Sequence, residues 1–428
     1  MILRSTPIAR IVARIVRYLL LALLLPVLLA GDDLRLNPAE EAALGHHYSL
    51  VAWEARNLLS KWTHRISTYL PWNEDPILTG RGLAEEYLRL GSEARRLRAE
   101  IDRAAATGDA AALANAEDGL ADVDIARDRM RGAVEEVIES AISGVLSDLD
   151  IGSWGPFDYP PVDIRLDEPP RVLITSPRDR IMRSHEALVS VDITTSEREA
   201  VELALLDGDD LSALVLDIGG VATFPAIVAG AGDLRRTLQT SAHEWVHYYL
   251  VAHLRPLGLR VYTTPEMLVI NETLADLAGR EIGDMAFRAL GGIIAPPADP
   301  PPENEVEGQP ADAGRFDFGK EMHVTRLRVD ELLLQGNIEE AEAYMEQRRM
   351  LFVEAGFYIR KLNQAYFAFN GTYAEQPASS SPVGKQMKDI RAASADVSAL
   401  IATVSRVSSI AEFEESHRKH KALVIGEG

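Results

Sequence analysis

The spacing of apolar and polar residues divides the first half of the chain into helical and extended segments. Residues 81–147 place Ala and Leu at helical spacing among Glu and Arg, and the TGDA tetrapeptide at 107–110 interrupts them. This pattern predicts an antiparallel helical hairpin over 79–150. The apolar, β-branched runs at 171–175 and 187–193 are instead typical of strands.

Two further extended runs precede the most helical part of the chain. LVLDI at 214–218 and VATFPAIVA at 221–229 flank a Gly-Gly pair, which predicts two strands joined by a turn. Because Pro225 cannot donate to an inner ladder, the second strand is expected at a sheet edge, where an extended peptide could add itself. A buried hairpin is the other interpretation. Strands followed by helices indicate an α+β core over 160–293, with a small mixed or antiparallel sheet.

The last third of the chain is predicted to be helical. Residues 294–318 are rich in Pro and acidic residues, which predicts a flexible loop. Apolar periodicity returns over 319–369 with a Gly-Asn turn at 336–337, and a final helix pair is expected after PASSSPVG at 377–384. We therefore expect a helical C-terminal lobe over 319–428.

The N-terminus has the layout of a signal peptide or membrane anchor over 1–31. Its uncharged run at 18–31 is shorter than the roughly 20 residues that span a bilayer, although residues 11–16 could lengthen it. Four arginines precede this run and two aspartates follow it: Arg4, Arg10, Arg14, Arg17, Asp32 and Asp33. Positive charge stays on the cytoplasmic side, so the remaining chain is expected on the extracytoplasmic side. The alternative is an amphipathic helix on the inner leaflet.

Residues 32–78 are predicted as aromatic-rich juxtamembrane helices, because Trp53, Trp62 and Trp72 could lie at the bilayer interface. Ordinary core aromatics are the alternative interpretation. The chain of 428 residues has a formal net charge of −21 and no basic cluster beyond its N-terminus, which excludes a nucleic-acid partner. With no cysteine, it has no disulfides, thiolate metal sites or cysteine nucleophile.

The pentapeptide HEWVH at 243–247 carries the most specific chemistry of the sequence. On a helix, His243 and His247 project from one face a turn apart and can bind one metal ion through their imidazoles. Glu244 lies between them, where it can take a proton from a metal-activated water and pass it to a leaving amine. A third protein ligand is still required.

Two residues compete for the third ligand position. His253 lies where the long metzincin motif has its last histidine, but residue 250 is Leu where that motif needs a Gly for a left-handed turn. A straight helix points His253 away from the other two imidazoles. The TTPE sequence at 263–266 predicts the start of a second helix. On that helix Glu272 and Asp276 share a face, so one carboxylate can bind zinc while the other accepts an imidazole N–H.

The pairing of HEWVH with NETLAD at 271–276 resembles the gluzincin, or thermolysin-like, zinc metallopeptidases, whose second motif is N-E-x-x-x-D. The segment at 362–373 is also weakly similar to the C-terminal part of predicted bacterial aminopeptidases of this class. The resemblance implies a C-terminal helical lobe that closes the cleft. It implies Zn²⁺ bound by three ligands, Glu244 as general base, Asp276 as the outer partner of His243, and Asn271 beside it. The implied ligands are His243, His247 and Glu272.

These observations predict a zinc-dependent peptidase that hydrolyses peptide or protein substrates. Tyr373 is our first candidate for the donor that stabilises the oxyanion, ahead of Tyr366 and His323. We favour an endopeptidase, because the segment at 221–229 has no glutamate to hold a substrate's amino terminus, although Glu186 or Glu199 could supply one. The alternative is a non-catalytic, membrane-anchored envelope scaffold with a structural zinc site. Glu244 argues against the scaffold, because a structural site needs no base.

Overall fold

The computed structural model describes residues 36–54, 56–57, 80–154, 157–295 and 316–426, and it has the predicted α+β architecture. Among those residues, none of the helices is both long and apolar enough to cross a membrane. The predicted anchor at 1–31 and residues 296–315 of the predicted Pro-rich loop lie outside the described residues. In chain order the elements are α1 (Pro38–Ala42), α2 (Gly80–Thr107), α3 (Ala110–Asp148), β1 (Ser153–Trp154), β2 (Phe157–Asp158), β3 (Ile164–Asp167), β4 (Arg171–Pro177), β5 (Glu186–Val189), α4 (Thr195–Asp209), β6 (Leu211–Asp217), β7 (Gly220–Val221), β8 (Ala226–Ala229), α5 (Leu234–Ala252), α6 (Pro256–Leu259), α7 (Pro265–Ala289), α8 (Phe318–Leu334), α9 (Ile338–Glu354), α10 (Gln364–Asn370), α11 (Val383–Ala393), α12 (Val397–Val404) and α13 (Ile410–Gly426).

The predicted helical hairpin is present as α2 and α3. The chain reverses at Gly108, whose φ of +71° lies in the left-handed region that glycine adopts at low cost. Asp109 then begins α3, and its carboxylate accepts a hydrogen bond of 3.0 Å from the Ala112 N–H. The local turn chemistry therefore produces the break that the sequence predicts at 107–110.

Apart from the antiparallel pair of β1 and β2, the described strands form two three-stranded sheets, whose pairing differs from the predicted hairpin. In the first sheet β4 lies antiparallel between β5 and β6. In the second sheet β8 lies between β3, to which it is parallel, and β7, to which it is antiparallel. The Gly-Gly turn therefore connects two sheets, and the predicted strand pair around it is wrong. Pro225 precedes β8, the inner strand of its sheet, whose described edge strands are β3 and β7.

The described part of the N-terminal region belongs to the protein core. Trp53 is buried, and its Nε1 donates a hydrogen bond of 3.1 Å to Asp167 Oδ2 at the end of β3. Ala39 of α1 packs against the first sheet. These contacts favour the interpretation of Trp53 as a core aromatic, whereas Trp62 and Trp72 lie outside the described residues.

Helices α5 and α7 pack together at the centre of the molecule because two glycines remove the side chains between them. A Cβ on Gly279 would lie 2.8 Å from His243 Cβ, and one on Gly283 would lie 2.5 Å from Gln239 Cα. The two helices share their apolar core with the hairpin and with the last helices of the chain. Residues 79–150 and 160–293 therefore do not have separate cores.

The C-terminal lobe is helical, as predicted, but ends in three helices rather than a pair. Gly336, with φ of +79°, makes the turn between α8 and α9 that the sequence predicts. After α11 the chain becomes extended at Ser394, and the Asp396 carboxylate accepts the Ala399 N–H at 2.9 Å to begin α12. This capping residue divides the predicted final pair into α11, α12 and α13.

A fully buried carboxylate joins α4 to the C-terminal lobe. Glu202 accepts hydrogen bonds from the Val215 N–H at 2.8 Å, from Lys361 Nζ at 2.9 Å and from the Arg360 guanidinium. Its side chain is 0% exposed. Burial raises the pKa of Glu202, but the donors outweigh this effect, so the pKa lies below its ordinary value.

We expect Glu202→Gln to lower the free energy of unfolding at pH 7 by about 2–4 kcal/mol, because it breaks a buried, hydrogen-bonded ion pair. Since the folded-state pKa is depressed, this contribution is complete above the ordinary value of 4.5 and is lost as the pH falls through the folded-state pKa. Urea unfolding at several pH values measures both effects. Exposed Glu199→Gln on the same helix is the control, with an expected change below about 0.5 kcal/mol. Equal midpoints for Glu202→Gln and wild type would contradict the prediction.

Candidate metal site

Helix α5 brings His243 and His247 together on one face. It begins after Asp233, whose side chain accepts the Arg236 N–H at 2.9 Å, and it continues through Leu250 to Ala252. The two imidazole rings lie 4.7 Å apart between centroids, with Nε2 atoms at 3.0 Å. The helix therefore places the two imidazoles side by side, as their four-residue spacing predicts.

His253 is not part of this cluster. It is the residue that ends α5, and its ring packs against Tyr249 at 4.3 Å and Tyr159 at 5.5 Å between centroids. The left-handed turn comes after it, at Leu254 with φ of +50°. Burial lowers the pKa of His253, so the neutral ring is favoured rather than the cationic form that a helix C-terminus would tolerate.

Helix α7 supplies the carboxylate of the cluster. It starts as predicted, with Thr264 Oγ1 accepting the Met267 N–H at 3.3 Å and Pro265 in the first turn. Glu272 Oε2 lies 3.6 Å from His243 Nε2 and 3.5 Å from His247 Nε2. In the part of the chain that the structure describes, these three residues are the one group of His, Asp or Glu side chains arranged to hold a metal ion.

The three donor atoms fit the dimensions of a transition-metal site. A triangle whose sides are the distances between His243 Nε2, His247 Nε2 and Glu272 Oε2 has a circumradius of about 2.0 Å, close to the usual Zn–N and Zn–O bond lengths. An ion near the centre of this triangle would contact all three donors without a change of rotamer.

The electrostatics of the cluster favour a bound cation. Burial lowers the pKa of His247, but Glu272, with Glu244 and Asn271, raises it to about 9. Burial raises the pKa of Glu272, but His247 and His243 hold it well below its ordinary value. The cluster therefore stabilises positive charge between its donors, and a metal ion would compete there with a proton on His247.

Glu244 lies beside the cluster without belonging to its donor triangle. Its side chain is buried, and burial raises its pKa, whereas His243 and His247 lower it. A Cβ on Gly220 would lie 2.5 Å from Glu244 Oε1, so the edge strand β7 passes directly against this carboxylate. Only a glycine at 220 leaves room for this approach.

Two polar residues of α7 lie near the cluster. Asn271 is buried and is one of the groups that raise the pKa of His247. Asp276 Oδ2 instead lies 3.1 Å from Arg280 Nη2, and the described contacts include no direct hydrogen bond from Asp276 to His243. Arg280, four residues further along the helix, competes for this carboxylate. Asp276 therefore interacts with His243 through charge alone, and not through the direct contact that the resemblance implies.

The loop after α10 places Tyr373 over the cluster. Its ring centroid lies 6.3 Å from that of His243, and the neighbouring Ala374 N–H donates to Thr273 Oγ1 at 3.3 Å. The charge of Glu272, followed by burial, raises the pKa of Tyr373 well above its ordinary value, so the phenol keeps its proton. The other two candidates are elsewhere, because Tyr366 packs in the hydrophobic core and His323 is exposed on α8.

Three residues near the cluster were not predicted from the sequence. Arg280 pairs with Glu375 as well as Asp276, which ties the Tyr373 loop to α7; its helical spacing from Asp276 is a signal that could have identified it. Arg183 and Tyr262 both come close enough to Glu272 for their charges to interact. They lie on separate loops, and nothing in the local sequence indicates this approach.

Protein-family models, curated proteins and solved structures show no significant match to this chain.

Proposed function

We propose that the chain is a zinc-dependent metallopeptidase. The observation that carries the proposal is a buried carboxylate, Glu244, held against a triangle of two imidazoles and one carboxylate. Catalytic zinc sites use three such protein ligands and leave a position for water, whereas structural sites have four ligands and no adjacent base. The arginine-rich N-terminal sequence supports an extracytoplasmic location for this activity.

The roles of the residues follow from their positions. Zinc, held by His243, His247 and Glu272, would supply the Lewis acidity that activates water and polarises the scissile carbonyl. Glu244 takes the proton of the attacking water, which its raised pKa assists, and delivers it to the leaving amine. Tyr373 donates a hydrogen bond to the oxyanion, because its phenol stays protonated.

The edge strand β7 is the proposed docking site for the substrate backbone. It passes against Glu244, so a peptide added to it as a further strand would run beside the base. The endopeptidase assignment remains the favoured form of the proposal. Of the two glutamates that could hold an amino terminus, Glu186 is paired with Arg183 and Glu199 is exposed on α4.

Purified protein from residue 33 onward is expected to contain one zinc per chain and to hydrolyse peptides in a broad library. A chelator should abolish this hydrolysis, and added zinc should restore it, because the three ligands leave the ion exchangeable. Elemental analysis and mass spectrometry of the peptide products measure both properties. Zinc-loaded protein that cleaves nothing in the library would favour the scaffold with a structural zinc site.

A further inference from the structure

A cleft of about 840 Å³ opens beside the metal cluster. It is lined by the loop between β4 and β5, by residues 261–266, 268 and 269, and by residues of α10 and of the segment that follows it. Among the lining residues, Val269 lies one turn before Glu272 on α7, and Thr372 directly precedes Tyr373. The cleft therefore reaches the chain neighbours of the cluster, whereas the three donors and Tyr373 are not among its lining residues.

Arg183 projects from the β4–β5 loop where the cleft borders the cluster. Its side chain is 18% exposed, and its guanidinium carbon lies 5.7 Å from the centroid of the Phe369 ring. Its charge acts on Glu272, one of the three donors of the cluster, and on Tyr373, which lies beside His243. An arginine this close to the reacting groups would contact any substrate that fills the cleft.

The guanidinium of Arg183 keeps donors free for a ligand. Nη2 donates to Glu186, whereas Nε is buried and makes no hydrogen bond to the described residues. Arginine presents five N–H donors in a planar fork that matches the geometry of a carboxylate. Because the aromatic ring of Phe369 and the pairing with Glu186 hold the fork, it loses little freedom on binding.

The other arginines of the cleft are engaged elsewhere. Arg326 donates to Asp330 Oδ2 at 2.9 Å and to the Ala378 carbonyl at 3.1 Å, so it serves to fix the lobe. Arg180 is largely exposed and pairs with its neighbour Asp179 at 3.0 Å. A chain with a net charge of −21 repels anions in general. A partly buried arginine with free donors beside the cluster would therefore give local recognition of an anionic group.

We propose that this cleft recognises a carboxylate of the peptide substrate and that Arg183 binds it. The inference rests on the proposed peptidase function and adds the substrate class, which is a peptide with a carboxylate near the cleaved bond. The carboxylate has two possible sources, the C-terminus of the peptide and an acidic side chain. A peptide without either would lack the partner that Arg183 offers.

Three probes of one hexapeptide sequence test the proposal: a neutral form with an amidated C-terminus, the same form with a free C-terminal carboxylate, and the amidated form with one internal Glu. Cleavage by the zinc-loaded protein gives kcat/KM, and calorimetry on zinc-loaded Glu244→Gln gives Kd. We expect one carboxylate probe to exceed the neutral probe by about tenfold or more in both measurements, as for a charge-assisted hydrogen bond. The probe that is preferred identifies the source of the carboxylate.

Arg183→Met should reduce the ratio between the preferred carboxylate probe and the neutral probe to about one. Any general loss of activity cancels in this ratio, because it affects both probes equally. Arg129→Met, which removes the same charge from the exposed face of α3, should keep the full preference. Arg183→Lys keeps the charge but not the paired donors, and it should retain a reduced preference where the Met variant fails to fold. Equal values for all three probes in wild type, or a preference that persists in Arg183→Met, would overturn the assignment. Probes that bind with the expected ratio but are never cleaved would refute the peptidase proposal and leave the carboxylate site standing.

Discussion

Replacement of Glu244 by Gln is expected to leave one zinc per chain and to lower kcat by about 10²–10⁴-fold, the range that general acid–base catalysis contributes. The amide has the shape of the carboxylate and can lie against Gly220 in the same way, but it cannot accept the proton of the attacking water. Elemental analysis and peptide hydrolysis of the same sample separate these two effects.

The stability of the variant gives an independent control on this result. Burial disfavours the charged form of Glu244, so a neutral Gln should leave the melting temperature of the zinc-loaded protein unchanged or raise it. Glu117→Gln, the same change on the exposed face of α3, should retain full activity. If Glu244→Gln kept its zinc and hydrolysed peptides within about threefold of wild type, another residue would have to be the base.

The helices of this protein could be predicted because their signals are local. The Gly108 turn, the Thr264 cap and the four-residue spacing of His243 and His247 each operate within a few residues of sequence. The strand pairing could not be predicted from the sequence, because β8 pairs in parallel with β3, about sixty residues earlier in the chain. A strand pattern indicates an extended segment but not its partner, so the Gly-Gly turn was assigned to the wrong pair.

The same distinction between local and long-range signals applies to the candidate site. The spacing within α5 and the motif on α7 predict the donors, and two glycines, Gly279 and Gly283, allow the helices to approach closely enough for the donors to meet. The contact of Asp276 with Arg280 rather than with His243 depends on side-chain competition on the helix surface. The approach of Arg183 depends on loops that meet only in the folded chain, so no sequence pattern indicates it.

Removal of a single donor from the triangle is expected to lower zinc affinity by more than about 100-fold, because even an outer partner of a ligand is worth about 10- to 100-fold. His243→Ala, His247→Ala and Glu272→Gln each remove one donor; the last also keeps the volume of the side chain. Competition with a chromogenic chelator measures the affinity, and circular dichroism confirms that each variant is folded.

The same measurement decides which residue is the third ligand. His253→Ala should bind zinc like wild type, because its ring packs on Tyr249 outside the donor triangle. The zinc affinity of Asp276→Ala should lie between that of His253→Ala and that of the three donor variants, since the Asp276 carboxylate contacts Arg280 and influences His243 through charge alone. If His253→Ala instead loses the metal while Glu272→Gln retains it, the triangle is not the metal site. The role of Glu244 as general base, which depends on a metal ion in the triangle, would then also be wrong.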